Sequence, residues 1–172
     1  MGNQDELEQL MKTADRNLYA GKREKEKIGS VSEKTGGVQM RGIVESFLLD
    51  GKQCHIYFPP NLQPNQLCDA VYVLDGAEFS KRLEQMEVFL NTKNCRAFCL
   101  VYFSPVDWNR DYSPWPAPAA FQKGEPFSGG AGQTLSFLTG RLLEKVQRSF
   151  PVLDTPEHRG VMGYSLGGLC AL

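Results

Sequence analysis

The stretch VMGYSLGGLCAL (161–172) decides how this chain is interpreted. Two apolar residues typical of a strand precede Gly163-Tyr164-Ser165-Leu166-Gly167, and small residues that favour the first turn of a helix follow. A serine with a glycine two residues to either side is the pattern of a sharp strand-to-helix turn that exposes a nucleophilic hydroxyl. The alternative is a glycine-rich turn that carries an inert serine.

The same turn predicts roles for the groups around the serine. Ser165 is the predicted nucleophile, and its place at a helix N-terminus favours developing negative charge. The backbone N–H of Leu166 is the predicted first donor to the oxyanion of an acyl-transfer reaction. We expect a side chain at Gly163 or at Gly167 to crowd the turn.

Strands and helices alternate along residues 38–172, which predicts a three-layer α/β domain. Strands are predicted at 39–49, 53–58, 70–74, 97–103 and 160–163, the first two joined by an Asp50-Gly51 hairpin turn. The fully apolar runs 70–74 and 97–103 suit a parallel sheet that is covered on both faces. Two helices are predicted from apolar residues at helical spacing: 78–90, with Leu83, Met86, Phe89 and Leu90 on one face, and 135–150, with Leu135, Leu138, Leu142, Val146 and Phe150.

Residues 1–37 form a separate region, predicted as one amphipathic helix followed by a charged linker. The segment ADRNLY (14–19), followed by Lys22-Arg23, resembles the C-terminal helix of diguanylate cyclase (GGDEF) domains. A generic amphipathic helix is the alternative. The catalytic loop of that family is absent, so the resemblance implies no cyclase activity.

Three further segments carry a resemblance that spans residues 38–172. VLDGA (73–77), NRDYSP (109–114) and GGAG (129–132) resemble segments of the esterase family of α/β-hydrolases and occur in the order expected for it. That family includes siderophore (enterobactin) esterases, S-formylglutathione hydrolases, feruloyl esterases and mycolyltransferases. The resemblance implies the α/β-hydrolase fold and ester hydrolysis through an acyl-enzyme on Ser165, without metal or cofactor. It also implies that the backbone N–H of Ala77 is the second oxyanion donor.

The partners of a nucleophilic serine are missing after Ser165. Hydrolases of this fold supply Ser, then Asp or Glu, then His in chain order, whereas only seven residues follow Ser165, and none is an acid or a histidine. His158 precedes the nucleophile strand, so we expect it at the opposite end of the sheet, and His55 lies in an early strand. We therefore expect an incomplete hydrolase fold without the later strands, inactive by itself. The alternative is a non-catalytic interaction or signalling remnant.

The long loop 104–132 offers candidate substrate contacts. Its aromatic residues are Trp108, Tyr112 and Trp115. Together with Tyr164, they are candidates for the wall of an ester pocket. The alternative is that they serve only in packing. Arg110 is expected either to bind a substrate carboxylate or phenolate or to hold Asp111 or another loop carboxylate. Asp75 is expected to fix the turn after its strand. GGAGQT (129–134) lacks the lysine of a phosphate-binding loop.

Composition narrows the remaining functions. The net charge of −1 and the lack of a long apolar run argue against nucleic-acid and membrane partners, leaving a small-molecule ester as the expected partner and the cytoplasm as the expected location. The five cysteines are expected to be reduced core thiols. Cys54 and His55 are adjacent and point to opposite faces of a strand, so no metal site is expected. The oligomeric state is left open.

Overall fold

The computed structural model describes residues 41–63, 66–92, 96–120 and 124–172. The predicted helix and linker of residues 1–37 lie outside the described residues. Their resemblance to a cyclase helix and the domain boundary at residue 38 therefore stay predictions.

An initial hairpin is followed by alternating strands and helices. The strands are β1 (Ile43–Leu49), β2 (Lys52–Phe58), β3 (Asp69–Leu74), β4 (Phe98–Phe103), β5 (Pro116–Ala117), β6 (Phe127–Ser128) and β7 (Arg159–Met162). The α-helices are α1 (Gly76–Ser80), α2 (Leu83–Thr92), α3 (Trp108–Asp111), α4 (Ala131–Ser136), α5 (Leu143–Ser149) and α6 (Leu166–Cys170). A π-helical segment (Phe137–Leu142) joins α4 to α5, and a 3-10 turn (Pro156–His158) precedes β7.

Five of the described strands form one mixed sheet in the order β1-β2-β4-β3-β7. The predicted Asp50-Gly51 turn is confirmed, since both residues have positive φ (49° and 76°), as a tight hairpin requires. β2 pairs antiparallel with β4, whereas β4, β3 and β7 run parallel. The expected parallel sheet is thus limited to these three strands.

Both faces of the sheet are covered, which confirms the three-layer α/β architecture. Ala70, Tyr72 and Leu74 of β3 lie in one core cluster with residues of α4, α5 and α6. Val73 lies in a second cluster with residues of α1 and α2. Since side chains alternate along a strand, consecutive residues of β3 serve opposite cores, and this is why the strand is apolar throughout.

The two predicted helices differ from the observed ones. The helix predicted at 78–90 is broken into α1 and α2. On α2, Glu87 is buried, whereas Phe89, which was expected on the apolar face, is 56% exposed. The Glu87 carboxylate compensates for its burial by accepting hydrogen bonds from the backbone N–H of Arg41 and Gly42 (both 2.8 Å) and from the Tyr57 hydroxyl (2.7 Å).

The second helix begins four residues earlier than predicted, at Ala131, and contains the π-helical segment. Phe137 is buried, whereas the predicted core residue Leu135 is 37% exposed. Leu138, Leu142 and Val146 are buried as predicted.

The cysteine prediction is wrong for one pair. Cys68 and Cys99 form a disulfide, whereas Cys54 and Cys170 are buried free thiols as expected. Cys68 precedes β3 and Cys99 lies in the parallel neighbour β4, which brings their Cα atoms to 6.4 Å across 31 residues of sequence. Strand order creates this proximity, and the spacing of the cysteines does not reveal it.

Candidate active site

The turn between β7 and α6 has the backbone of a nucleophile elbow. Ser165 has φ 54° and ψ −122°, a conformation that side-chain-bearing residues rarely adopt. A Cβ at Gly163 would lie 2.3 Å from the carbonyl carbon of Gly167, so the glycine requirement there is confirmed. A Cβ at Gly167 would meet the Leu74 Cβ at 3.4 Å, an ordinary contact, so the expected crowding at that position is not found.

The elbow and the loop after β3 leave the sheet at the same edge. Val73 pairs with Met162, and Leu74 pairs with Phe103, in parallel register. The carboxyl ends of β3, β4 and β7 therefore lie side by side. Gly76 sits directly on the end of β4, because a Cβ there would lie 2.8 Å from the Phe103 carbonyl oxygen.

Two backbone donors lie at this edge. Ala77 follows the first residue of α1, and Leu166 is the first residue of α6. Among the hydrogen bonds between described residues, none is donated by the backbone N–H of either one. Helix N-termini leave such groups without internal partners, which makes them available to an anionic atom.

Asp75 shapes the turn that carries Ala77. It has φ 74°, precedes α1 and is buried. Its backbone N–H donates a hydrogen bond to the Tyr112 hydroxyl oxygen at 2.7 Å. Burial raises the pKa of the Asp75 carboxyl, and the backbone N–H of Glu78 opposes this shift. These contacts match the expected role of Asp75 in fixing the turn.

Arg110 is held by its neighbour in the sequence. Its Nε donates to Asp111 Oδ1 at 2.8 Å, while Asp111 Oδ2 accepts the backbone N–H of Val106 (2.8 Å) and of Asp107 (3.1 Å). Burial opposes the charge of Asp111, but the Arg110 side chain and the two backbone donors hold the pKa of its carboxyl below the usual range. Of the two roles expected for Arg110, the structure shows the contact with Asp111.

The four candidate aromatic residues separate into two groups. Tyr112 is fully buried, and Trp108 packs edge-to-face against it with ring centroids 5.1 Å apart. Trp115 and Tyr164 are 48% and 66% exposed. The packing alternative therefore describes Tyr112 and Trp108, while Trp115 and Tyr164 remain accessible to a ligand.

The glycines at 129–130 serve the loop. The Gly129 N–H donates to Ser113 Oγ (2.7 Å), and the Gly130 N–H donates to the Arg110 carbonyl oxygen (2.8 Å). A Cβ at Gly130 would lie 2.8 Å from that carbonyl oxygen. The segment thus closes the long loop onto α3, a pairing that sequence reasoning missed.

Both histidines of the sequence lie away from the elbow. His158 Nδ1 lies 2.6 Å from Asp69 Oδ1, and Asp69 is the first residue of β3, at the amino-end edge. This confirms the expectation that His158 emerges opposite the elbow. His55 lies on β2, with its Nδ1 2.8 Å from Ser46 Oγ, and burial lowers its pKa.

The described ranges contain no group of three or more His, Cys, Asp or Glu side chains placed to hold a metal ion. None of the helices in the part of the chain that the structure describes is long and apolar enough to cross a bilayer.

Comparison with known proteins agrees with this geometry. Residues 51–172 match the family described as "Putative esterase". The chain belongs to this esterase family. It is 27% identical over 135 residues to the uncharacterized protein YbbA of Bacillus subtilis strain 168, a match that covers 77% of this chain and 54% of that protein.

Solved structures show the same fold. Siderophore hydrolase EstA from Aspergillus nidulans is 19% identical, with a TM-score of 0.58 over 81% of this chain and 53% of its own. An IroE-like serine hydrolase from Shewanella oneidensis is 20% identical, with a TM-score of 0.62 over 76% of this chain and 44% of its own. These likenesses establish the α/β-hydrolase fold, and this chain contains part of that fold. The chain spans about half the length of the relatives that it matches.

Proposed function

We propose that this chain carries the nucleophile and the oxyanion hole of a serine esterase. Ser165 attacks the carbonyl carbon of a carboxylic ester, and the backbone N–H groups of Leu166 and Ala77 stabilise the oxyanion. Collapse of the tetrahedral intermediate expels the alcohol and leaves an acyl-enzyme, which water then hydrolyses. The backbone of Ser165 carries this proposal, since a serine held at φ 54° and ψ −122° is a strained residue with its hydroxyl at a helix N-terminus.

The substrate of this site is a small-molecule ester. The exposed rings of Trp115 and Tyr164 provide apolar surface for it. Arg110 is already paired with Asp111, so an anionic group on the substrate would have to compete with that carboxylate. Recognition by aromatic contact is therefore favoured over recognition by charge.

The general base comes from outside these 172 residues. A serine hydroxyl needs a base to accept its proton, and the sequence has only two histidines. One is engaged with Asp69 at the opposite edge, and the other lies on β2. We therefore expect the 172-residue chain by itself to be inactive or nearly so.

The test uses the full-length gene product and a fluorophosphonate probe, which bonds covalently to activated serines. We expect labelling of the wild type, no labelling of Ser165→Ala, and ester hydrolysis lower by roughly 10⁶-fold in that variant, the cost of removing such a nucleophile. The matched control is Ser104→Ala, because Ser104 is exposed directly after β4 at the same sheet edge. Equal labelling of wild type and Ser165→Ala would contradict the proposal.

A second measurement tests the missing base. The 172-residue chain is assayed with p-nitrophenyl acetate beside its Ser165→Ala variant. Equal background rates support an external base, whereas Ser165-dependent hydrolysis at the rate of the full-length product shows that these residues suffice.

A further inference from the structure

Tyr112 is a buried polar side chain that the proposed chemistry does not use. It is fully buried, so it cannot touch a substrate. Its hydroxyl oxygen nevertheless accepts a hydrogen bond from the backbone N–H of Asp75, across 37 residues of sequence. Asp75 is the residue at which the chain turns from β3 toward Ala77.

Contacts of the Tyr112 ring, of its backbone and of the next residue hold Tyr112 in place. Trp108 packs edge-to-face against the Tyr112 ring, and the backbone N–H of Tyr112 donates to the Trp108 carbonyl oxygen. The next residue, Ser113, accepts the backbone N–H of Gly129 at its Oγ and that of Ala131 at its carbonyl oxygen. Burial also raises the pKa of Tyr112 well above its usual range, so the hydroxyl stays neutral at physiological pH.

The same ring belongs to the core beneath the elbow. Tyr112 shares a core cluster with Leu74 of β3 and Cys170 of α6, and Leu166 packs against that cluster. Tyr112 therefore contacts the loop that carries the Ala77 N–H, and it lies in the same core cluster against which the helix carrying the Leu166 N–H packs. Two donors stabilise an oxyanion only when both lie about 3 Å from the position that the oxygen will take.

We propose that Tyr112 is a positioning residue, whose hydroxyl holds the Asp75 N–H and thereby sets the Ala77 donor in register with the Leu166 donor. This inference rests on the proposed esterase function. Without the hydroxyl, the Asp75 N–H would be buried without an acceptor, and the turn at φ 74° would lose the contact that fixes it. The Ala77 N–H would then sample positions away from the oxyanion.

The experiment compares Tyr112→Phe with Tyr72→Phe in the full-length gene product. Tyr72 is the matched control, since it is also buried, lies on β3 and, in the described part of the chain, has a hydroxyl without a hydrogen-bond partner. Active sites are first counted with a fluorophosphonate, so that rates refer to folded enzyme. The measurements are kcat/KM for p-nitrophenyl acetate and Ki for a trifluoromethyl ketone, which forms an oxyanion adduct with the serine.

We expect Tyr112→Phe to lower kcat/KM and to raise Ki by a common factor of about ten or more, less than the 10²–10³ for deleting a donor outright. Tyr72→Phe should stay close to wild type in both. In the 172-residue chain, hydrogen exchange of the Asp75 amide, which donates to the Tyr112 hydroxyl, should accelerate in Tyr112→Phe alone.

Three results overturn the inference. The first is an unchanged kcat/KM and Ki in Tyr112→Phe, and the second is an equal loss in both tyrosine variants, which would indicate only a packing role. The third is unchanged exchange of the Asp75 amide. A wild-type product that no fluorophosphonate labels at Ser165 removes the proposed function itself, and the positioning role falls with it, so the two failures are distinguishable.

Discussion

The two ends of the parallel strands β3, β4 and β7 differ in how their polar groups are satisfied. At the amino-end edge, Asp69 contacts both His158 (2.6 Å) and Arg96 (3.5 Å). On the same side, three donors meet the buried Glu87 carboxylate, and the Cys68–Cys99 disulfide crosses from the start of β3 to β4. Each of these named side chains has a partner among the described residues.

The carboxyl-end edge has the opposite character. Ser165 and Asp75 hold positive φ angles, and the backbone donors of Leu166 and Ala77 have no partner among the described residues. Ligands of α/β sheets bind at the carboxyl ends of the strands. Strained backbone angles and unpartnered donors thus occur at the end of the sheet where chemistry is expected, and paired side chains occur at the other end. We call the carboxyl-end edge the reactive edge and the amino-end edge the stabilising edge.

The largest expected effect is at the reactive edge, in Gly163→Ala. The new Cβ would lie 2.3 Å from the Gly167 carbonyl carbon, so the elbow cannot close without backbone movement. We expect a loss of at least about 3 kcal/mol in the free energy of unfolding and no fluorophosphonate labelling of Ser165 in the full-length product. Urea unfolding and labelling measure the two effects.

Gly167→Ala is the matched control for that prediction. Its Cβ meets only the Leu74 Cβ at 3.4 Å, and alanine is favoured over glycine in a helix by about 1 kcal/mol. We expect unchanged or slightly greater stability and retained labelling. Similar losses in the two variants would show that the elbow does not depend on the close approach at Gly163.

The disulfide should give the largest effect at the stabilising edge. It closes a loop across a sequence separation of 31 residues, and a loop of this size stabilises a fold by about 3 kcal/mol. Reductant should therefore lower the urea midpoint of the oxidised chain, while a Cys68→Ser/Cys99→Ser variant should not respond to it. Titration of five free thiols in the denatured, unreduced chain would refute the disulfide.

Glu87 should make the stabilising edge sensitive to acid. Burial opposes its charge, but hydrogen bonds from Arg41, Tyr57 and Gly42 hold the pKa of its carboxyl below the usual 4.5. Since the folded-state pKa is depressed, its contribution is fully present above pH 4.5 and is lost as the pH falls through the lower folded-state value.

Glu87→Gln should therefore cost about 2 kcal/mol at neutral pH and progressively less in acid. Urea unfolding from pH 3 to pH 7 measures the difference from wild type. Glu84→Gln, an exposed change on the same helix, serves as the control. A Glu87→Gln penalty that is constant with pH would show that the charge itself contributes nothing.

The reactive edge was largely predictable because its chemistry is local. Five consecutive residues define the elbow, Asp50-Gly51 requires its hairpin turn, and the apolar runs define β3 and β4. Each of these signals depends on neighbours within a few positions, which a sequence displays directly. The ordinary contact at Gly167 was the exception, since it depends on how far α6 stands from β3.

The stabilising edge and the support of the loop that carries the Ala77 N–H were not predictable in the same way. The bond between Tyr112 and Asp75 spans 37 residues, the disulfide spans 31, and Glu87 meets Arg41 across 46. Each pairing depends on the strand order β1-β2-β4-β3-β7, in which neighbours in space are not neighbours in sequence. From residue type alone, Glu87 is expected at an exposed helix position and Tyr112 in the wall of a pocket.

The smallest expected effect tests the comparison most directly, because it concerns the histidine nearest to Ser165 in the sequence. β7 lies between them, and its four residues span about 13 Å. His158→Gln should therefore leave the activity of the full-length product unchanged and cost about 1 kcal/mol of stability through the lost contact with Asp69. His55→Gln is the parallel control on β2. A drop in kcat/KM of more than about tenfold in His158→Gln alone would indicate that His158 is the general base. It would contradict the assignment of catalysis to the reactive edge and of stability to the other edge.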